Sequence, residues 1–138
     1  MLKGLKTGAA LAAGFIMAAM AGAAAAQTPS LVGVWSHRVV HGSQAIAVVW
    51  DQFGPGGQLH TRFVTPKGTI DLFGSYQVLN GGQVVRAIYN NWSPKQTCTM
   101  VCTPNPSPMP IGRPGDSAVR FAGPNVVYFG ADMYTRQR

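Results

Sequence analysis

The sequence predicts an all-β protein, a small antiparallel up-and-down barrel of about eight strands. Three observations carry that expectation. Segments of about six to ten residues, rich in Val, Ile, Thr and aromatic side chains, recur along residues 31–136. Glycine-bearing turns separate them, as hairpins require for positive φ. After the first 26 residues no apolar period of helical spacing persists for three turns.

Residues 1–26 read as a signal peptide that is removed on export. Lys3 and Lys6 give a positive start, residues 9–19 are apolar apart from Gly14, and Ala24, Ala25 and Ala26 offer small side chains for cleavage. No cysteine stands near that point to take a lipid, and there is no twin arginine. The lysine-then-alanine pattern has a bacterial style, so the expected location is periplasmic or secreted. Cleavage of 26 residues from 138 leaves 112, residues 27–138, enough for one domain with a real core. The net charge of +7, less the two leader lysines, becomes +5, and no glutamate is present anywhere. The basic residues stand singly, which suits a solvated basic surface. Attraction to an anionic envelope component is the functional alternative, and nucleic acid is not expected as a partner.

The strands follow in order. Residues 31–40 open the barrel and stop at His41-Gly42-Ser43. Residues 45–53 stop at Gly54-Pro55-Gly56-Gly57, and residues 58–65 at Pro66-Lys67-Gly68. Residues 69–79 lead through Asn80-Gly81-Gly82 to residues 83–92. Alternation turns Leu59, Thr61 and Phe63 inward on the third segment, and Ile70, Leu72, Gly74, Tyr76 and Val78 inward on the fourth. On the fifth, Val84, Ile88 and Trp92 share one face with Arg86, against Val85, Ala87 and Tyr89, so the inward side stays ambiguous. The second segment is apolar on both faces, and a loop of the chain is expected to cover the outer one. Residues 93–116 break the pattern with six prolines, several at alternate positions, which no paired central strand accommodates. Residues 103–110 are expected to be extended and stiff. Pairing resumes at residues 117–121, and residues 126–135 form the closing strand.

Cys98 and Cys102 are the two cysteines of the chain, and an oxidising compartment favours a disulfide between them. A straight strand would hold their α-carbons about 13 Å apart, beyond the roughly 7 Å a bridge tolerates. Residues 97–103 are therefore expected to curl into a helical turn or compact loop. The bridged segment is predicted to lie across one barrel opening as a lid, with Met100, Val101, Met109 and Ile111 as its apolar underside.

No set of residues amounts to a reaction centre, and the chain is expected not to be an enzyme. His37 and His41 share a strand but stand about 13 Å apart, too far for one metal ion, and His60 lies on another segment. The four aspartates fall on separate segments, no serine sits in a nucleophile-elbow context, and the glycine-rich stretch at residues 54–57 reads as a hairpin. Neither a metal nor a cofactor is expected.

Gly33-x-Trp35, then Phe53-Gly-Pro-Gly-Gly57, Gly74-Ser-Tyr76 and a last strand ending near arginine (Tyr134-Thr-Arg136) are similar to small bacterial lipocalin-like domains. Avidin-like barrels also begin Gly-x-Trp and contain Gly-x-Tyr, so that fold remains the alternative. The lipocalin resemblance implies a barrel with an apolar interior open at one end. The expected function is non-catalytic binding of a small apolar or amphipathic ligand, in a cavity lined by Trp35, Phe63, Leu72, Tyr76, Ile88, Phe121 and Phe129. The alternative is an envelope-associated interaction or inhibitor protein acting through its basic surface.

Overall fold

The computed structural model describes residues 29–138, so the leader expected at residues 1–26 lies outside the described residues. The chain is all-β. Strands β1 (Gly33–His41), β2 (Gln44–Phe53), β3 (Gln58–Thr65), β4 (Gly68–Leu79) and β5 (Val84–Ser93) run as a meander of hairpins. A small hairpin of β6 (Gln96–Cys98) and β7 (Cys102–Pro104) follows, then β8 (Gly115–Gly123), β9 (Val126–Phe129) and β10 (Asp132–Gln137). Eight strands close into an antiparallel barrel in the order β1-β10-β9-β8-β5-β4-β3-β2, while β6 and β7 pair only with each other. The expected single closing strand is thus a hairpin, because Gly130, at φ +62°, turns the chain between Phe129 and Asp132.

Strand alternation decides what fills the interior. Trp35 on β1 sits opposite Asp51 on β2, which sits opposite Thr61 on β3, which sits opposite Leu72 on β4. All four are buried. On β5 the inward side is that of Val85, Ala87 and Tyr89. A register shift between Phe73 and Gly74 then breaks the parity, so that Trp92 also packs inward, opposite Leu72. Gly74 makes this crossing possible. A β-carbon there would stand 1.9 Å from the Ile88 carbonyl oxygen, so β4 and β5 approach closer than any side chain allows.

Trp35, near the start of β1, is fully buried. Its indole N–H donates to the Leu31 carbonyl at 2.8 Å, Phe121 lies beside it, and the Arg136 guanidinium stacks over its ring at 4.2 Å. Gly33, at φ +133°, lies under that guanidinium, where a β-carbon would meet Arg136 Nη1 at 2.8 Å.

The outer face of β2 differs from expectation. No loop among the described residues covers it: Ile46 is 46% exposed, with Val48 and Trp50 half-buried and Val64 of β3 exposed beside them. The connections on either side of β2 and β3 are short hairpins that turn at the barrel ends, so none reaches back across the strand face.

Candidate functional site

The interior holds a cavity of about 590 Å³. Phe53, Leu59, Val85, Ala87 and Phe129 give it apolar walls, and Asp51, Tyr89 and Tyr134 contribute polar groups to the same space. Its volume falls within the range of small-molecule pockets in general.

Each polar group is delivered by strand parity. Asp51 shares the inward face of β2 with Val49 and Phe53, and Thr61 shares that of β3 with Leu59. Thr61 Oγ1 donates to Asp51 Oδ1 at 2.5 Å and lies 2.7 Å from Tyr89 Oη. With the threonine proton committed to the carboxylate, the tyrosine is the donor in the second bond. The chain therefore runs from Tyr89 through Thr61 to Asp51. Asp51 Oδ2 has no hydrogen-bond partner among the described residues, yet no buried side-chain oxygen or nitrogen there lacks one. Oδ2 is therefore not sealed off, and Asp51 belongs to the lining of the cavity.

Burial sets the electrostatics. Asp51 is 8% exposed, and removal from water pushes its carboxyl up to about 6, although the Thr61 hydrogen bond and the charge of His37 pull the other way. Burial also raises the Tyr89 and Tyr134 phenols, and the Asp51 charge adds to both shifts. His37 Nδ1 donates to the Met133 carbonyl at 2.9 Å, and its ring stacks on Tyr134. The remaining histidines are elsewhere. His60 bonds Asp71 at 2.8 Å on the outer surface together with Arg62, and His41 is exposed at the end of β1.

The proline-rich segment supplies the cavity rim. Trp92 Nε1 donates to the Asn105 carbonyl, and the Asn105 amide clips Pro94 and Thr97, which fixes the start of the crossing. The chain then returns along β5, where Ile111 bridges Tyr89 in parallel and Gly112 N–H donates to the Tyr89 carbonyl at 2.6 Å. This sets Met109, Pro110, Arg113 and Pro114 around the cavity, and Ile111 packs against the core. Met100 and Val101 are not part of this rim. Cys98 and Cys102 face each other across β6 and β7, bridged with their α-carbons 4.0 Å apart, so of the two expected forms residues 97–103 take the compact loop, closed as a hairpin. Its tip points away from the barrel, leaving Met100 99% and Val101 73% exposed.

The wall residues expected from sequence fall in three places. Phe129 lines the cavity. Trp35, Leu72, Phe63, Tyr76 and Phe121 pack in or against the core and do not line it. Tyr76 is held there by a 2.6 Å hydrogen bond from its hydroxyl to the Gly54 carbonyl. Ile88 lies on the opposite side of β5 from Ala87 and Tyr89, in an outer groove with Ser75, Gln77 and Arg86. Sequence reasoning missed the polar cluster. The available signal was that Asp51 has the parity of Val49 and Phe53 and that Thr61 already stood on an inward face.

The described residues contain no cluster of three or more His, Cys, Asp or Glu side chains able to hold a metal ion, and no helix long and apolar enough to cross a membrane. No family model, curated protein or solved structure matches the chain.

Proposed function

We propose that the protein is a non-catalytic binding module that holds one small amphipathic molecule inside its barrel. The observation that carries this is the 590 Å³ cavity with apolar walls and the nine-tenths-buried residue Asp51 in its lining. A barrel that had only to be stable would gain from an apolar residue in place of Asp51. Titration calorimetry with short amphiphiles checks the reading: binding at micromolar to sub-millimolar Kd is expected, and heats no larger than dilution for every probe overturn it.

The same reading makes the chain an exported lipocalin-like barrel. Residues 1–26 carry the leader pattern, the Cys98–Cys102 bridge suits an oxidising compartment, and Gly33, Trp35 and Arg136 support the resemblance. Expression in a bacterial host and N-terminal sequencing of the exported protein are expected to give Gln27 as first residue. Retention of Met1 would remove the export part of the proposal.

A second reading has its own observation. The exposed tip of the β6–β7 hairpin and the apolar face of β2 that no described loop covers are surfaces for a protein or envelope partner, on a chain whose residues 27–138 carry a net charge of +5. Pull-down from an envelope fraction at low and high salt separates the two readings. A partner lost at high salt favours the surface, and none at either salt counts against it.

A further inference from the structure

The cavity contains one feature that an apolar ligand does not explain. A fatty acid or hydrocarbon lying along Phe53, Leu59, Val85 and Phe129 would bring its tail against the Asp51 carboxylate. That contact would strip the carboxylate of water and return nothing. A carboxylate-headed ligand turned the other way would set two anions side by side, and one would have to take up a proton. A ligand that ends in a hydrogen-bond donor bearing positive charge has neither difficulty.

We propose that the occupant of this cavity is an amphipathic primary amine whose ammonium group pairs with Asp51 Oδ2 while its apolar body lies against Phe53, Leu59, Val85 and Phe129. This rests on the interior being the binding site.

Three observations support it. Asp51 is nine-tenths buried, and one of its two oxygens has no protein partner among the described residues, so the protein offers an acceptor and leaves it to be filled. The other oxygen is fixed by Thr61, and Thr61 in turn by Tyr89, so the carboxylate is held in place before any ligand arrives. The rings of Phe129, Tyr89 and Tyr134 line the same space, and aromatic faces attract an organic cation. Arg113 on the rim offers the competing possibility of an acid held at the mouth with its tail inward. Asp116, paired with Arg86, is a second carboxylate in the lining. The octanoate arm tests the first and Asp51→Asn separates the second.

The experiment compares octylamine, octan-1-ol and octanoate, which share a chain and differ in the head group, by calorimetry on the full chain at pH 7.5. Octylamine is expected to bind at least tenfold tighter than octan-1-ol and octanoate weakest of the three. The Asp51→Asn variant, with its β-sheet circular dichroism intact, is expected to lose at least tenfold more affinity for octylamine than for octan-1-ol. Thr61→Val, which frees Oδ1 but keeps the carboxylate, is expected to retain the amine preference. Equal affinities for amine and alcohol, or tighter octanoate, overturn the amine assignment and leave the cavity as a binding site. No binding of any of the three overturns both.

Discussion

Asp51 opposes the stability of the fold it sits in. Its carboxyl goes from 3.8 in the unfolded chain to about 6 in the barrel, so the folded state holds the proton more tightly and ionisation works against folding. Stability from this group is therefore whole below about pH 3.8 and is lost as pH rises through about 6. The gap corresponds to ~3 kcal/mol. Asp71 and Asp116 act in the other sense: against a burial cost that raises it, Asp71 is held low by Arg62 and His60, Asp116 is held low by Arg86, and protonation breaks those pairs as the pH falls. Both pairs are surface contacts and are screened. His37, Thr61, Tyr89 and Tyr134 are the groups that meet Asp51 electrostatically, and none is an arginine or lysine able to pair with it. Asp51→Asn keeps an acceptor for Thr61 and abolishes the charge. It is expected to stabilise the protein by ~1–3 kcal/mol at pH 8 and by nothing at pH 4, read from urea midpoints. A variant less stable than the parent at pH 8 would mean that the carboxylate is paired in solution after all.

At the scale of elements, β4 and β5 depend on a missing side chain. A methyl group at residue 74 has a backbone carbonyl 1.9 Å away, and backbone cannot move aside as a side-chain end can. Gly74→Ala is expected to lose ~3 kcal/mol or more in chemical denaturation. A loss under ~1 kcal/mol would show that the register shift at Phe73 and Gly74 relaxes freely. That same shift explains why inward faces were legible on β3 and most of β4 but not on β5. Alternation is a two-residue rule, and one extra residue between Tyr89 and Trp92 sends both inward, which no local pattern announces. The β6–β7 hairpin was hidden for a different reason. The cysteine spacing required a compact turn, but whether its apolar tip folds onto the barrel depends on where Asn105 and Trp92 anchor it, a contact between residues 13 apart. Replacing Cys98 and Cys102 with serine is expected to cost at most about 2 kcal/mol, the loop-closure value for so short a ring. Ligand affinity is expected to stay within twofold, because the rim is set by Met109 to Pro114 and not by the hairpin. An affinity change beyond tenfold in the folded double variant would return the hairpin to the role of lid.

Across the whole molecule the barrel has two unlike halves. Strands β1 to β5 are 8 to 12 residues long and pair along most of their length, whereas β9 and β10 have 4 and 6 residues, and β8, with 9, joins β5 through only four. The β5–β8 seam joins only residues 84–87 to 115–118, and β1–β10 only residues 34–36 to 135–137. The cavity wall draws on both halves, taking Asp51, Phe53 and Leu59 from the long strands and Phe129 and Tyr134 from the short ones. Fewer ladder bonds per strand mean a lower free energy of local opening, so the short half is where the barrel would part to admit a ligand. Native-state hydrogen exchange tests this. Amides of β2 to β4 are expected to exchange only by global unfolding, and those of β9 and β10 through a smaller opening with weak dependence on denaturant. Octylamine is expected to slow β9 and β10 more than β3, since Phe129 and Tyr134 would then close on an occupant. Uniform protection in both halves would mean that the barrel opens as one unit, leaving the cavity rim at Met109 and Pro110 as the way in.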